Sequence, residues 1–456
     1  MQIPKDLIEQ YNVPAPRYTS YPTVPMWDKD SFSVADWKAA VKETFDQSNE
    51  QEGISLYVHL PYCESLCTYC ACNTRITKNH GVETGYIDSL LAEWKLYQEM
   101  MGAQPQIAEL HLGGGTPTFF APENLSRLIS GLLEGSRLHP EAELSFEGHP
   151  NNTTAAHLQA LYDLGFRRVS YGVQDLNRKV QVTINRLQPL ENVRRAVREA
   201  REIGYDSVNM DLIYGLPFQT PLSVAQTIAE VLQMRPDRIA YYSYAHVPWK
   251  RPGQRAYTEA DLPTGEMKRA LYEQGKATLL AAGYEEVGMD HFALPQDTLS
   301  RDFRLKRLHR NFMGYTTSHS KLLIGLGASA ISDAHGTYAQ NEKGVEAYQR
   351  AIGEGGLAST YGHLATEEDQ IIGQWMLDLT CRGELDWREH RDLITLTMLI
   401  DLHRMQGEGL IQLYEQGLRV TELGMAFIRN ICMVFDKRMF ESITSRKGKQ
   451  TFSSAV

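Results

Sequence analysis

From residue 54 to residue 245, short apolar runs alternate with longer stretches in which apolar residues recur every three or four positions. Runs of the first kind predict β-strands, and stretches of the second kind predict amphipathic helices. The predicted strands cover 54–60, 107–112, 143–147, 168–173, 207–214 and 238–245. The predicted helices cover 84–101, 122–133, 154–164, 189–203 and 221–234. This alternation predicts an α/β fold whose βα units form a parallel sheet, curled into a full or partial barrel.

The segments on either side of this alternation are predicted to be accessories of the barrel. Residues 1–50 contain several Pro and Tyr residues and are expected to form an arm or lid, and residues 51–335 form the catalytic barrel. Residues 336–456 predict a mostly helical C-terminal domain, with a polar tail from residue 445. We therefore expect three units, with the chemistry in the middle one.

Residues that can carry chemistry follow the ends of the predicted strands. They are the cysteine-rich stretch 63–72, the GGGTP run at 113–117, Glu147, Gln174, Asp211 and Ala245. Active sites of parallel βα barrels lie at the carboxyl ends of the strands. We therefore expect these positions to meet at one mouth.

Cys63, Cys67 and Cys70 form a CxxxCxxC pattern directly behind the first predicted strand. Soft thiolates favour iron–sulfur clusters over hard cations, and three of them leave one iron of a [4Fe–4S] cluster open for chemistry. Cys72 follows so closely that it has little freedom to reach the fourth iron, and we interpret it as a bystander. The alternatives are a zinc knuckle, which usually needs paired CxxC units or histidines, and thiols without a ligand.

Other strand-end residues suit polar ligands. The glycines of the GGGTP run let backbone N–H groups approach a carboxylate, although a glycine cluster alone is more often a turn. Glu147 can accept hydrogen bonds from an ammonium or from ribose hydroxyls, and the alternative is a solvated carboxylate. Gln174, Arg186 and Asp211 suit a second polar ligand, and the alternative for each is a surface residue or a helix cap.

The cysteine pattern, with Tyr69 before its last member, resembles the radical S-adenosylmethionine (SAM) superfamily, in which SAM chelates the open iron. Within that superfamily, residues 11–440 resemble the oxygen-independent coproporphyrinogen-oxidising family. The stretches that carry this resemblance are PRYTSYP at 16–22, GVQD at 172–175, DLIYGLP at 211–217, GMDHFA at 288–293, RNFMGYTT at 310–317 and GASAIS at 327–332. The chain departs from the family at His149, where an acidic residue is expected, and at Met313, where Gln is frequent.

The resemblance implies roles for individual residues. Cys63, Cys67 and Cys70 would hold the [4Fe–4S] cluster, and Arg17 would contact the substrate. Phe312 and Glu147 would lie near the reaction centre. The positions implied for a first SAM are Tyr57, Gly114, Glu147 and Ile331, and those for a second SAM are Tyr69, Gly115, Thr116, Gln174, Arg186, Asp211 and Ala245.

The reaction implied by the resemblance is the oxidative decarboxylation of two propionate side chains of coproporphyrinogen III to vinyl groups, which gives protoporphyrinogen IX in haem biosynthesis. A 5′-deoxyadenosyl radical made from SAM would start it, and an external one-electron donor protein would reduce the cluster. The alternatives on the same scaffold are a haem chaperone and a haem-modifying methyltransferase. Arg17 on the arm, Cys72 and the positions for a second SAM argue against the chaperone.

Composition limits the classes of binding partner and the cellular location that we expect for this chain. A formal net charge of −10 over 456 residues disfavours nonspecific nucleic-acid binding. No apolar run approaches the roughly 20 residues that span a bilayer, and the first residues lack the order of a signal peptide. Six cysteines, four of them within residues 63–72, suit a reducing compartment better than a disulfide framework. We expect a cytoplasmic protein without a membrane span, and we interpret it as a monomer.

An acidic protein that binds a substrate with four carboxylates must gather cations at its mouth. Arg forks match carboxylates bidentately. The candidates besides Arg17 are Lys250, Arg251, Arg301, Arg304, Lys306, Arg307 and Arg310. The alternative for each is a solvated loop charge.

Overall fold

The computed structural model describes residues 3–440 and 452–455, so residues 445–451 of the predicted polar tail lie outside the described residues. The helices are α1 (Lys5–Tyr11), α2 (Val34–Ser48), α3 (Val82–Met101), α4 (Pro122–Leu133), α5 (Ala155–Asp163), α6 (Arg178–Thr183), α7 (Leu190–Ile203), α8 (Pro221–Met234), α9 (Gly265–Ala281), α10 (Thr298–Arg304), α11 (Val345–Gly353), α12 (Glu367–Arg382), α13 (Leu396–Gly407), α14 (Glu422–Met425) and α15 (Ile428–Met433).

The strands are β1 (Ile54–Leu60), β2 (Tyr62–Cys63), β3 (Arg75–Ile76), β4 (Gln106–Gly114), β5 (Arg137–Gly148), β6 (Arg168–Gln174), β7 (Ser207–Tyr214), β8 (Arg238–Ser243), β9 (Glu285–Val287), β10 (His291–Ala293), β11 (His309–Asn311), β12 (Gly314–Thr316), β13 (Leu322–Leu326), β14 (Ile331–Ala334), β15 (Thr337–Asn341), β16 (Ser359–Leu364), β17 (Glu384–Asp386), β18 (Ile411–Tyr414) and β19 (Gly417–Val420).

The described residues form a twelve-stranded central sheet in the order β16-β15-β14-β13-β1-β4-β5-β6-β7-β8-β10-β9. The strands from β13 through β1 and β4 to β8 are parallel, and both flanks are antiparallel. Within the described residues, the edge strands β16 and β9 are not hydrogen-bonded to each other, so the barrel is open. The predicted α/β fold with a partial βα barrel is confirmed.

The parallel strands form because their side chains are apolar on both faces, which helices and the barrel interior cover. In β1, every residue except Tyr57 is buried. The helices begin where their sequence favours a start: Pro122 occupies the first turn of α4, and the Thr220 side chain accepts a hydrogen bond from the Ser223 N–H at the start of α8. The apolar faces of these helices then close one continuous core against the sheet.

Two parts of the chain outside residues 51–335 also pack on this sheet. Trp37 and Phe45 of α2 lie in the core of the sheet, and β15 and β16 extend its edge. The C-terminal part contains α12 to α15 and a three-stranded sheet of β17, β19 and β18. The division of the chain into three units stays a prediction.

The arm packs against the C-terminal helices. Leu7 and Tyr11 of α1 share a buried cluster with Trp375 of α12 and Leu402 of α13. The N-terminal arm therefore has an apolar anchor of its own. Among the described residues, no helix combines the length and the apolar character needed to cross a membrane.

Residues 14–16 of the arm meet residues 454–455 beside this anchor. Pro14 and Ser454 form an antiparallel bridge. Arg429 of α15 donates hydrogen bonds to the Pro16 carbonyl at 2.9 Å and to the Ala455 carbonyl at 3.1 Å. The half-buried guanidinium of Arg429 thus links the arm to residues 454–455.

A buried carboxylate connects α3 to the turn that follows β13. Glu93 accepts hydrogen bonds from the Gly327 N–H at 2.8 Å, the Tyr348 hydroxyl at 2.7 Å and the Asn341 amide at 2.6 Å. Burial raises the pKa of Glu93 to about 7, against the opposing effect of these three bonds. The network fixes the turn that leads to Ile331 at the start of β14.

Glu93→Ala is expected to lower the free energy of unfolding by about 3 kcal/mol, because three buried donors lose their acceptor. Glu93→Gln retains one acceptor oxygen and is expected to lose about 1 kcal/mol. Urea unfolding followed by circular dichroism measures both. An equal loss in the two variants would contradict the importance of the acceptor oxygens.

The same residue predicts a pH dependence of stability. The folded pKa of about 7 exceeds the ordinary value of 4.5, so the folded state holds the proton more tightly between these values. The stabilising contribution is complete below the unfolded pKa and is lost as the pH rises through about 7. The native protein is therefore expected to lose stability relative to Glu93→Gln over this range, as measured by urea midpoints. A pH-independent difference would contradict the assignment.

Candidate active site

A cavity of about 440 Å³ opens at the carboxyl ends of the parallel strands. Predicted site residues from the ends of β1, β4, β5, β6 and β7 line it. They are Cys63, Cys67, Tyr69, Cys70, Gly114, Gly115, Thr116, Glu147, Gln174, Arg186 and Asp211. The expectation that strand ends meet at one mouth is confirmed for these positions.

The cysteine loop is fixed by contacts on both sides. The Cys63 sulfur lies 3.3 Å from the Thr116 hydroxyl, and the Thr68 N–H donates to the Ile184 carbonyl at 2.9 Å. Arg186 directs a guanidinium N–H to the Cys67 sulfur at 3.6 Å. A cationic donor therefore lies next to this sulfur.

Cys70 and Cys72 shift each other's pKa in opposite directions. A hydrogen bond from the Cys72 thiol lowers the pKa of Cys70 to about 6, despite burial. The same bond raises the pKa of Cys72. The role of Cys72 as a bystander stays a prediction.

The donor set fits an iron–sulfur cluster better than a single ion. Among the described residues, no three or more His, Cys, Asp or Glu side chains are close enough together to hold one metal ion. Cys63, Cys67 and Cys70 are nevertheless all half-buried on the wall of the same cavity. Because a four-iron cluster is larger than one ion, its thiolates lie farther apart, and soft sulfur donors are its usual ligands.

The GGGTP turn packs so tightly that only glycine fits at Gly114. Its φ of 111° lies in the left-handed region, and a Cβ there would stand 2.6 Å from the His59 ring. His59 is held by the Tyr57 hydroxyl at 3.0 Å and the Asn73 carbonyl at 2.8 Å. Tyr57 does not itself line the cavity and supports the turn from behind.

Glu147 is an ionised carboxylate on the cavity wall. Burial alone would raise its pKa, but His111, with Nε2 at 3.7 Å from Oε1, and the Gly114 N–H at 3.2 Å leave the pKa lower than usual. The His111 ring also stacks against Tyr57 at 6.2 Å. A negative charge is therefore held beside the glycine turn, where it can pair with a cationic ligand.

Arg186 and Gln174 fill the wall above β6. The Arg186 guanidinium donates to the Gly172 carbonyl at 2.5 Å, and a Cβ at Gly172 would stand 2.9 Å from its Nη2. Gln174 takes a left-handed φ of 67° at the end of the strand. His149 faces the same cavity, and burial together with the charge of Arg186 lowers its pKa to about 2. At this wall position the chain therefore carries a neutral imidazole.

Asp211 lies on the opposite part of the wall, on β7. Its carboxylate accepts hydrogen bonds from the Ser170 hydroxyl and the Asn209 amide, both at 3.1 Å. Burial first, and the negative charge of Glu147 second, raise its pKa to about 6. Asp211 thus changes charge just below neutral pH.

Besides Tyr57 and Arg17, three predicted residues lie outside the cavity wall. The Ala245 carbonyl accepts a hydrogen bond from Gln254, which also donates to the Tyr69 carbonyl, both at 3.1 Å. Ile331 pairs with Gln340 across β14 and β15. The Phe312 ring makes edge contacts with Trp27 and Tyr338, at 6.3 and 5.8 Å. The structure does not bring these three into contact with the cysteine loop.

Arg17 is close to the cavity without lining it. Its guanidinium donates to the Ser243 carbonyl at 2.8 Å, and Nη1 lies 3.7 Å from Asp290. It also stands 5.8 Å from the ring of Tyr242, a residue of the cavity wall. Arg310 supports the arm here through bonds to its backbone carbonyls, including that of Arg17.

The other candidate cations are mostly engaged away from the cavity. Arg301 and Arg307 pair with Asp302, Arg304 pairs with Glu285, and Lys306 pairs with Glu384. Arg251 donates to the Ala71 carbonyl beside the cysteine loop. The four cations between residues 301 and 307 therefore serve as surface charges in ion pairs, which agrees with the alternative of solvated loop charges.

Sequence reasoning missed His111 and Tyr242. His111 lies opposite Tyr57 in β1 and Ser145 in β5, so strand register places it beside Glu147. The sequence did carry a signal for His111. Side chains alternate between the two faces of β4, and an ionisable residue near the end of a buried strand is expected to face the mouth. Tyr242 sits inside the apolar end of β8, where nothing distinguishes it from a core residue.

Comparison with known proteins agrees with this geometry. A model of the radical SAM superfamily matches residues 57–231. Oxygen-independent coproporphyrinogen III oxidase of Pseudomonas aeruginosa is 37% identical over 441 residues, 95% of each chain, and that of Escherichia coli is 39% identical over 437 residues, 94% of each. The solved structure of the Escherichia coli coproporphyrinogen III oxidase has a TM-score of 0.87 at 37% identity and covers 96% of this chain and 100% of that one.

The similarity extends over nearly the whole chain, and the radical SAM model covers the cysteine loop and the strands from β1 to β7. The chain therefore belongs to the oxygen-independent coproporphyrinogen III oxidase family of the radical SAM superfamily.

Proposed function

We propose that the chain catalyses the oxygen-independent oxidative decarboxylation of coproporphyrinogen III in haem biosynthesis. Each of two propionate side chains loses one hydrogen atom, one CO2 and one electron to become a vinyl group, and protoporphyrinogen IX results. The observation that carries this proposal is the convergence of three cysteines, a glycine turn and strand-end polar residues on one cavity, in a chain similar to the oxidases over nearly its full length.

The cysteine loop and the glycine turn would hold the family's cofactors. Cys63, Cys67 and Cys70 would ligate the [4Fe–4S] cluster. The cavity wall from Gly114 to Asp211 would hold two SAM molecules. When bound, these cofactors supply a carbon-centred radical that removes a hydrogen atom from the propionate β-carbon.

The protein's own residues position and charge this site. Glu147, ionised beside His111, would attract a cationic group to the glycine turn. Arg186 donates to the Cys67 sulfur and offers a positive charge within the cavity. Because both charges stand in a cavity, water screens them less than it would in open solvent.

The substrate would enter beside the arm. Arg17 is a candidate partner for a propionate, because its contact with Asp290 at 3.7 Å is long and its side chain is more than a third exposed. Phe312, whose ring contacts Trp27 of the arm, would lie near the reaction centre. We further propose an external one-electron donor, a cytoplasmic location and a monomeric state, each of which the family assignment leaves open.

Cys67→Ala is expected to abolish product formation and to prevent assembly of the cluster, because two remaining thiolates cannot retain it. The anaerobic assay combines reconstituted protein, a chemical reductant, SAM and coproporphyrinogen III, and separates tetrapyrroles and 5′-deoxyadenosine by chromatography. Protoporphyrin with a transient monovinyl intermediate is expected for the native chain.

Cys381→Ala is the matched control, because Cys381 is buried between α12 and its neighbours, outside the cavity wall. It is expected to retain iron, the absorbance of the cluster and activity. Deoxyadenosine without a decarboxylated tetrapyrrole from the native chain would overturn the proposed reaction.

Asp211 predicts a pH dependence of SAM binding. Its pKa of about 6 means that the carboxylate is ionised at neutral pH and protonated in acid. At about pH 5 only about a tenth of it is ionised, so the affinity for one of two SAM molecules is expected to fall about tenfold. Equilibrium dialysis of the cluster-loaded protein measures this, with cluster absorbance as the check on integrity.

Asp211→Asn is expected to bind that SAM weakly at neutral pH and to show no further change in acid. A native protein whose two affinities stay constant between about pH 5 and pH 7.5 would contradict a contact between Asp211 and SAM.

A further inference from the structure

His149 lies on a loop that hydrogen bonds fix against the cavity. It directly follows β5 and is half-buried on the cavity wall. The His149 N–H donates to the Thr118 hydroxyl at 3.4 Å, and the Thr153 hydroxyl donates to the His149 carbonyl at 3.0 Å. The backbone of His149 is therefore held on both sides, and its side chain starts from a defined point on the wall.

A backbone hydrogen bond determines which nitrogen of the His149 ring carries the proton. The Asn151 N–H donates to Nδ1 at 3.1 Å, so Nδ1 is an acceptor. Burial and the charge of Arg186 lower the pKa of His149 to about 2, which keeps the ring neutral. A neutral imidazole has a single N–H, so this N–H is on Nε2. Among the described residues, none accepts a hydrogen bond from Nε2, and a ligand in the cavity can use this donor.

The part of the wall around His149 is positively charged in a chain whose net charge is −10. The Asn151 amide donates to a carbonyl of the segment after α6 at 2.9 Å, which joins the two segments of this part of the wall. We name these segments, residues 149–152 and 185–187, the His149 corner. Neither segment contains an acidic residue. The corner combines the guanidinium of Arg186 with the Nε2–H of His149, so it suits an anionic acceptor.

An acidic residue at position 149, which the family resemblance leads us to expect, would give the His149 corner the opposite polarity. One oxygen of an Asp side chain could accept the Asn151 N–H, because Asp and Asn commonly bond the backbone N–H two residues further on. The second oxygen would place a negatively charged acceptor where His149 places a donor. At this point of the wall the chain thus offers a hydrogen-bond donor in place of an acceptor.

We propose that the His149 corner binds a carboxylate, which accepts a hydrogen bond from Nε2 of His149 beside the positive charge of Arg186. Hydrogen bonds to an ionised acceptor are stronger than those between neutral groups. Two ligands of the proposed function carry carboxylates, since SAM has one and coproporphyrinogen III has four. This inference rests on the proposed function for its ligands, and it adds His149 as a binding residue with a defined donor atom.

Two substitutions separate the donor at Nε2 from the turn that Nδ1 stabilises. His149→Asn retains an acceptor oxygen for the Asn151 N–H and an N–H donor toward the cavity. His149→Asp retains the acceptor oxygen but replaces the donor by a negatively charged oxygen. A variant that keeps the turn and changes only the polarity is therefore available.

His139→Asp is the matched control. His139 of β5 is also half-buried, and its Nδ1 also accepts the N–H of the residue two positions further on, that of Glu141, at 3.1 Å. It does not line the cavity. The control therefore makes the same chemical change in the same kind of turn outside the site.

Equilibrium dialysis of the cluster-loaded protein measures the affinities for SAM, for decarboxylated SAM and for coproporphyrinogen III, each alone and without oxygen. The pH is held at about 8, where Asp211, with its pKa of about 6, is ionised in all proteins compared. Circular dichroism and the absorbance of the cluster check that each variant is folded and loaded.

His149→Asp is expected to weaken the binding of one carboxylate ligand at least about tenfold, because a negatively charged oxygen would face the carboxylate. His149→Asn should stay within about threefold of the native protein, since it retains a donor. His139→Asp should equal the native protein. A loss for SAM without a loss for decarboxylated SAM would identify SAM as the source of the carboxylate. A loss for coproporphyrinogen III with SAM unchanged would identify a propionate.

Equal affinities of the native protein and His149→Asp for SAM and for coproporphyrinogen III would overturn the proposal. An equal loss in His149→Asn would also overturn it, because the turn would then account for the effect, and so would an equal loss in His139→Asp. The same loss for SAM and decarboxylated SAM, with coproporphyrinogen III unchanged, would rule out a carboxylate contact. A native protein that binds these ligands but forms no product refutes the proposed reaction, whereas the affinities of the variants still decide the role of His149.

Discussion

The parallel order of β13, β1 and β4 to β8 is the constraint on which the rest of the site depends. Parallel strands place all their carboxyl ends at one edge of the sheet, so residues distant in sequence become neighbours without any special contact. Cys63, Glu147 and Asp211 are separated by many residues along the chain and still share one cavity. Register then decides which side chains face one another, as it does for Tyr57 and His111.

Hydrogen bonds and nearby charges determine the ionisation of the side chains at this edge of the sheet. Glu147 stays ionised because His111 and a backbone N–H offset its burial, whereas Asp211 has weaker support and its pKa rises to about 6. Arg186 joins the two halves of the wall, since it contacts both the Cys67 sulfur and the Gly172 carbonyl. The cavity therefore has cationic and anionic positions on defined strands.

The sequence predicts the strands and helices of the barrel closely because each has a clear period and a clear start. The helices at 122–133 and 221–234 have the predicted limits, and so do the strands at 54–60 and 207–214. The motif residues on the cavity wall were also predictable, since they follow strands. The antiparallel extension through β14 to β16 was not, because short strands joined by tight turns carry no long periodicity.

Contacts between distant segments explain the remaining differences. The sequence offers no sign that Arg310 supports the arm or that α1 shares a core with α13, because such pairs depend on tertiary packing. Ala245 illustrates the same limit: it stands two residues beyond β8, and Gln254 connects its carbonyl to Tyr69. The position of a residue relative to a strand predicts which residues lie near it, whereas tertiary packing determines which atoms are in contact.

The contacts between the arm and residues 454–455 have a consequence for the position of Arg17. Arg429 of α15 and the cluster that α1 shares with α12 and α13 hold the arm from the C-terminal side, and Arg310 holds the backbone of Arg17 from β11. The guanidinium of Arg17 in turn contacts Ser243 and Asp290 next to the cavity. A loss of packing among the C-terminal helices would therefore displace Arg17 while the cysteine loop and the strand ends kept their places.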